Sequence, residues 1–249
     1  MIKLTISTAM LFCFIAFSTG QDLKFASSKA QNKNIDIKEM ISINSQQFYQ
    51  KTEVLDAETV EVNFFDTNDR LAIKKYNNSD GELYYDEQGV AIYLYEYDKN
   101  DNVVSIKYYD EFETLYRIND AGPAMVDMEY DNKDRVTKVI YYDVDGSLFT
   151  NNGTPIIEYS YNEDNDVSEK RIFVDNKVFI DYTAAIIRYK YDDQGRVIEQ
   201  TYYNKYGQLT TTLNDKTDKE DFSKVVIKYI DGEASPTFYN LDGEEVEPY

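Results

Sequence analysis

The sequence predicts an all-β protein built from tandem antiparallel hairpins or three-strand meanders. Tyrosine-rich segments recur about every 31 residues, apolar and polar residues alternate within them, and turn-forming residues follow each one. A single such unit cannot bury its apolar face, so neighbouring units must stack or pair. We expect one extended antiparallel sheet or a β-solenoid, with a closed barrel or a small propeller as the alternative.

Each repeat is anchored by an aromatic residue, followed in most copies by Asp or Asn. The anchors lie near residues 65, 97, 130, 161, 191 and 229. A pair of tyrosines follows three of the anchors and ends 12 residues after them, at Tyr108-Tyr109, Tyr141-Tyr142 and Tyr202-Tyr203. The repeat domain is therefore expected to span residues 46–249.

The strand before each anchor alternates between apolar and polar side chains. Val126, Met128 and Tyr130 would share one face, whereas Asp127 and Glu129 would share the other. This period of two predicts a strand with one buried face. By the same alternation, the first tyrosine of each pair is expected to face the core, and the second to lie nearer solvent.

The beginning of the chain has the pattern of a signal peptide over residues 1–20. Lys3 supplies a positive charge, an apolar stretch runs from Ala9 to Phe17, and small residues at Ser18 and Gly20 offer a cleavage site. We therefore expect an exported protein that is periplasmic, cell-surface or secreted, with no membrane insertion after cleavage. Residues 21–45 are predicted to be a polar linker, with a short helix around Ile37–Phe48.

Composition excludes several classes of function. The chain has no His and no Trp, and Cys13, its one cysteine, lies in the predicted signal peptide. Catalysis by Ser-His-acid or Cys-His groups is therefore excluded, as are zinc sites with His or Cys ligands. The formal net charge of −20 repels phosphate backbones, so no nucleic-acid partner is expected. A glycan or a protein ligand is compatible with this composition.

Two segments carry a resemblance to a known repeat class. Tyr191-Asp192-x-x-Gly195-Arg196-Val197 and Tyr130-Asp131-x-x-Asp134-Arg135-Val136 resemble the YD or RHS-type repeat. The resemblance covers roughly residues 60–245. It implies β-rich sheets or shells on secreted and surface proteins, often in toxin or adhesion contexts, and it brings no catalytic residues. Residues 141–147 are also similar to the aromatic hairpins of cell-wall-binding repeats, which use Trp at the ligand site.

The second tyrosines of the pairs are the candidate ligand-binding residues. Tyr109, Tyr142 and Tyr203 would form an exposed ladder that stacks on sugars or on a partner protein, because tyrosine is a large, rigid and amphipathic contact residue. The structural alternative for each is a half-buried sheet tyrosine that stabilises a cross-strand pair.

Acidic turns are the candidate metal sites. Asp143 and Asp145 could supply oxygen ligands for Ca²⁺, but Thr154 stands where an EF-hand loop needs a glutamate. Asp and Gly are expected to shape hairpin turns at these positions, and no cofactor is expected.

These observations predict a non-enzymatic binding or adhesion module of the cell envelope. One alternative is a structural protein whose repeats pair with other copies or with envelope components. Another is a carboxylate-dependent glycoside hydrolase, because that chemistry needs no histidine. Regular repeats seldom form the pocket that such an enzyme requires.

Overall fold

The computed structural model describes residues 38–43, 46–55, 59–150, 155–174, 177–178, 184–212 and 222–247. The predicted signal peptide and most of the predicted linker lie outside these residues. The described residues up to Ile156 form one compact unit and those from Ile157 onward form another, here called the first and second units. Among the described residues, no helix is long and apolar enough to cross a bilayer.

The first unit is an antiparallel meander in which each strand pairs with the next along the chain. Its strands are β1 (Lys38–Ile43), β2 (Gln46–Val54), β3 (Thr59–Phe65), β4 (Leu71–Asn78), β5 (Ile92–Tyr97), β6 (Val103–Tyr109), β7 (Met125–Tyr130) and β8 (Val136–Tyr142). A single 3₁₀ turn, Ile118–Asp120, precedes β7.

The second unit continues the same pattern, with its boundary falling inside β9. Its strands are β9 (Ile156–Tyr161), β10 (Val167–Val174), β11 (Lys177–Val178), β12 (Ile186–Tyr191), β13 (Val197–Tyr203), β14 (Lys224–Ile230), β15 (Glu233–Tyr239) and β16 (Glu245–Val246). β10 pairs with both β11 and β12, and the other strands follow chain order. Within neither unit do the first and last described strands pair, so the predicted antiparallel repeat fold is confirmed in its open form.

The expected helix around Ile37–Phe48 is wrong, because β1 and β2 occupy this region. Ile41 lies opposite Phe48 across the strand pair. Phe48 is buried in a cluster with Val62 and Phe64 of β3. Burial of this aromatic side chain against a neighbouring strand outweighs a poorly patterned helical preference.

The alternation predicted for the strand before the anchor is confirmed in β7. Val126 and Met128 are buried, whereas Asp127 is half-buried and Glu129 is exposed. The strand therefore buries one face and presents charge on the other, as a period of two requires.

An aspartate or asparagine organises the turn that follows a strand. Asp131 Oδ1 accepts the backbone N–H groups of Lys133 (2.8 Å) and Arg135 (3.0 Å). Asp134, the last residue of the loop, has a left-handed φ of 59°. The same pair of bonds forms at Asp66, Asn78, Asp86, Asp98, Asp110, Asp192, Asn204 and Asn240. Asn, Asp and Gly are the residues that tolerate such a conformation most readily.

The anchor tyrosines at 97, 130, 191 and 229 each join their repeat to the one before it. The Tyr130 hydroxyl donates to the carbonyl oxygen of Val103, at 2.7 Å. Equivalent bonds run from Tyr97 to Leu71, from Tyr191 to Val167 and from Tyr229 to Val197. In each case the acceptor is the first residue of the strand after the preceding turn. The anchor is therefore a half-buried residue whose hydroxyl group has a specific partner.

The arginine of the repeat motif contacts one residue in its own repeat and another in the next repeat. Arg196 Nε donates to Asp192 Oδ2 (2.8 Å), and its guanidinium carbon lies 4.2 Å from the ring centroid of Tyr229, the next anchor. Arg70 makes the same contacts with Asp66 and Tyr97. Such stacking is a favourable cation–π arrangement. Asp, Arg and Tyr of the motif thus stabilise the repeat array. Contacts within the protein explain why these residues recur at this spacing, so no ligand is needed to explain it.

Replacing Tyr130 by phenylalanine is expected to lower the free energy of unfolding by about 1 kcal/mol, because it removes one hydrogen bond and leaves the Val103 carbonyl without it. Urea denaturation followed by circular dichroism measures the change. Tyr206→Phe is the matched control, since Tyr206 is exposed at a turn. Equal stability of the two variants would contradict this role for the anchor hydroxyl.

Candidate functional site

The three predicted ligand-binding tyrosines occupy equivalent positions at the ends of β6, β8 and β13. Tyr109, Tyr142 and Tyr203 are all half-buried. Their carbonyl oxygens accept the N–H groups of Ala91, Ala124 and Ala185, respectively. The first tyrosines of the pairs are buried at Tyr108 and Tyr202 and half-buried at Tyr141. The second tyrosines are thus partly accessible side chains within the sheet.

The surroundings of these tyrosines differ. The Arg188 guanidinium carbon lies 4.5 Å from the Tyr203 ring centroid. In contrast, Tyr142 borders a groove in the first unit and hydrogen-bonds to Asp127. Burial raises the pKa of Tyr142, and the neighbouring Asp127 carboxylate raises it further. Of the three predicted residues, Tyr142 alone lines this groove.

The groove lies on the polar side of β5–β8 and has a volume of about 450 Å³. Strand register aligns its central row, because Glu96 lies opposite Ser105, Ser105 opposite Asp127, and Asp127 opposite Ile140. A second row contains Lys107, Met125 and Tyr142. We call this surface the Ser105 groove.

Ser105 is the unusual residue of the groove. It is 6% exposed, and its hydroxyl oxygen is buried without a hydrogen-bond partner. Its two cross-strand neighbours, Glu96 and Asp127, both carry carboxylates. Buried hydroxyl groups normally have partners, and an unpaired polar group costs about 1–3 kcal/mol. This hydroxyl is consequently a polar group to which a ligand could bond.

The repeat itself explains why the groove forms at this place. Ser105 lies eight residues after its anchor and pairs with Glu96, the residue before that anchor. In the last repeat, Ser235 pairs with the residue before the anchor. In the other repeats, the residues eight positions after the anchor are Ile73, Lys138, Glu169 and Glu199. Each of these has a longer side chain than serine. Ser105 is therefore the one short side chain at this position in the described repeats before the last. A comparison of this position among the repeats could have found the site, but aromatic patterning alone does not reveal it.

The carboxylates around Ser105 are already partly paired. Lys107 Nζ lies 2.6 Å from Glu96 Oε1, and Lys138 Nζ lies 3.8 Å from Glu129 Oε1. Three acidic residues line the groove: Glu96, Asp127 and Glu129. Lys107 is the only cationic residue among the described residues that line it. Three negative charges and one positive charge give this surface a formal charge of −2. The groove is therefore acidic.

A second hollow, of about 590 Å³, contains another tyrosine pair. The rings of Tyr84 and Tyr85 stack with centroids 4.6 Å apart, beside Tyr76 and Asp86. Burial raises the pKa of Tyr76, and the charges of Glu61 and Asp86 add to this effect. The sequence Tyr84-Tyr85-Asp86 has the same form as the predicted pairs. Leu55 and Thr59 also line the hollow, and the residues between them in the chain lie outside the described residues.

The candidate metal ligands are engaged in hydrogen bonds with other groups of the protein. Arg117 Nε donates to Asp143 Oδ1 at 2.8 Å, and Asp145 Oδ1 accepts the Ser147 N–H at 2.9 Å. The Arg117 hydrogen bond holds the pKa of Asp143 below its usual value. In the described part of the chain, no group of three acidic, His or Cys side chains could hold a metal ion. Asp143 thus acts as the partner of Arg117.

Comparisons with known proteins give little further guidance. No protein-family model and no curated protein matches the sequence. A solved structure of the Photorhabdus luminescens Tc holotoxin pore, carrying a mutation in TccC3, contains a similar chain with 13% identity and a TM-score of 0.22. The alignment covers 86% of this chain and 13% of that chain. A TM-score this low carries no argument about fold or function.

Proposed function

We propose that the protein is an exported, non-enzymatic binding module that takes its ligand in the Ser105 groove. The signal-peptide pattern of residues 1–20 supports export to the periplasm, the cell surface or the medium. The observation that carries the binding proposal is the buried Ser105 hydroxyl without a partner. A glycan hydroxyl or a polar group of a protein could complete its hydrogen bonding.

Tyr142 and Met125 allow the groove to make apolar contacts with a ligand as well as hydrogen bonds. Both side chains line it and are half-buried, so they offer accessible apolar surface next to polar groups. Binding sites commonly combine such surface with a few polar groups that fix orientation. Tyrosine contributes a large contact area with few rotatable bonds.

Hydrolysis is less well supported than binding. A glycosidase needs one carboxyl group that stays protonated as the general acid. Here Glu96 pairs with Lys107, and Asp127 accepts the Tyr142 hydroxyl. Both carboxyl groups thus already have partners within the protein.

Assembly through the open edge of β15 is also less well supported. β16 pairs with Phe238 and Tyr239 but leaves the earlier part of β15 without a further described strand. Pro236 lies in that part and has no N–H group. Proline is one of the residues that protect edge strands from pairing with another chain.

Glycan and peptide arrays test the proposal, with the wild type compared with Tyr142→Ala and Tyr203→Ala. We expect a ligand whose binding weakens at least tenfold in Tyr142→Ala, a loss of about 1.4 kcal/mol or more, and stays within twofold in Tyr203→Ala. The two variants remove the same side chain from equivalent repeat positions. Equal losses, or no ligand in either array, would overturn the proposal.

A further inference from the structure

The Ser105 groove has the charge and shape to receive a positively charged group. We infer that it binds a cationic side chain, lysine or arginine, presented by a protein partner. This inference rests on the proposed function and specifies the ligand of the same site. It draws on the arrangement of carboxylates, on the unpartnered hydroxyl and on the apolar side chains beside them.

Two carboxylates flank the unpartnered hydroxyl from opposite sides. Glu96 and Asp127 are the direct cross-strand neighbours of Ser105. Neighbouring side chains in such pairs have Cβ atoms roughly 4.5–5.5 Å apart. A cation above Ser105 would therefore be within reach of both carboxylates and could donate a hydrogen bond to the serine oxygen. Lysine and arginine carry several donors and no acceptors, which suits this set of oxygens.

The apolar part of the groove fits the stem of such a side chain. Met125 and Ile140 line it next to Asp127, and both are half-buried. Long cationic side chains lay their methylene groups along apolar surface while the charged end remains among polar groups. The phenol ring of Tyr142 offers a further contact for a cation.

Charge selects against other ligands of similar size. The groove carries a formal charge of −2, and the whole chain carries −20, so anionic groups are repelled. In the described part of the chain, no cluster suits a metal ion. A neutral glycan could bond to Ser105 but would leave the excess negative charge of the groove uncompensated.

NMR titration of the ¹⁵N-labelled full-length protein tests the inference, at about 150 mM salt, where long-range attraction is screened. The probes are an alanine-based pentapeptide with one central arginine, its lysine counterpart and its glutamine counterpart. We expect the arginine and lysine peptides to shift the amides of Ser105 and Asp127 and to bind at least tenfold more tightly than the glutamine peptide.

Ser105→Ile is the matched variant, because Ile73 occupies the equivalent position of another repeat. It should weaken binding of the cationic peptides at least tenfold and leave distant amides unshifted. Glu199 is an acidic residue at the equivalent position of another repeat. Shifts of the amides around Glu199 therefore report diffuse attraction of the cationic peptides to the acidic protein. Equal binding of the glutamine peptide, or equal shifts around Glu199, would overturn the inference. Spermidine that binds more tightly than either cationic peptide would overturn the assignment to a protein side chain.

Failure of the inference can be separated from failure of the proposed function. If Ser105→Ile abolishes binding of a ligand found on the arrays while no cationic peptide binds, the groove is the site and the cationic assignment is wrong. If the variant leaves binding of that ligand unchanged, the groove is not its site, and both proposals are wrong.

Discussion

Replacing Ala124 by leucine is expected to lower the free energy of unfolding by about 3 kcal/mol, because added volume in a packed interior forces strain. Ala124 is 0% exposed. Its N–H donates to the Tyr142 carbonyl (2.9 Å), and its carbonyl accepts the Tyr108 N–H (3.0 Å). Small side chains recur at this place in other repeats: Ala91, Pro155, Ala185 and Ser223, all buried. The residue thus lies between two strands with no room for a larger side chain.

Ala124→Ser is the matched control, because Ser223 occupies the equivalent position. The Ser223 hydroxyl donates to the carbonyl oxygens of Tyr239 and Asn240, so a serine here can be accommodated. We expect Ala124→Ser to change the urea midpoint by less than a third of the shift seen for leucine. A leucine variant as stable as the wild type would show that the position is not closely packed.

Replacing Asp131 by alanine is expected to lower the free energy of unfolding by about 2–3 kcal/mol, since the turn loses a charged acceptor of several hydrogen bonds. Asp131 accepts two backbone N–H groups and the Arg135 side chain, whose Nε lies 2.7 Å from Oδ2. The ion pair adds little by itself because its partners are partly solvated. Most of the loss therefore comes from the unpaired backbone donors.

Asp131→Asn separates these contributions, because Asn78, Asn204 and Asn240 organise equivalent turns. It should retain more than half of the stability that alanine loses in urea denaturation. Equal destabilisation by asparagine and alanine would show that charge, and not the backbone hydrogen bonds, dominates.

The pH dependence of Asp131→Asn gives an independent check. Burial alone would raise the pKa of Asp131, but hydrogen bonds from Arg135 and Lys133 outweigh it and lower this pKa. Because the folded pKa lies below the unfolded one, the stabilisation is present at neutral pH and is lost as the pH falls through the folded pKa. The stability difference between the wild type and Asp131→Asn should therefore shrink in acid.

Much of the fold could be predicted because strand alternation and turn residues are local features of the sequence. Val126 and Met128 are buried as their spacing indicates. The partner of the anchor hydroxyl could not be predicted, because the Val103 carbonyl belongs to the preceding repeat. Periodicity assigns a side chain to a face but does not identify its partner in another repeat. β1 was missed because it has little alternation of its own and lies before the first recognisable repeat.

The candidate site was only partly predictable. Tyrosine patterning led to Tyr142, which lines the groove, and equally to Tyr203, which contacts Arg188 instead. The sequence pattern does not mark Ser105 as a binding residue. Its importance follows from its cross-strand neighbours and from the absence of a hydrogen-bond partner for its hydroxyl group. Strand register is required to bring Glu96 and Asp127 to either side of it.

Methyl NMR of methionine tests most directly whether ligands bind in the Ser105 groove. Met125 and Met128 both line the groove, but Met125 is half-buried whereas Met128 is 5% exposed. The protein labelled at its methionine methyl groups is titrated with the strongest ligand from the arrays and with the arginine peptide. The proposal predicts that the Met125 methyl signal shifts on saturation, and by more than that of the buried Met128. Saturable binding that leaves the Met125 signal unmoved would contradict it.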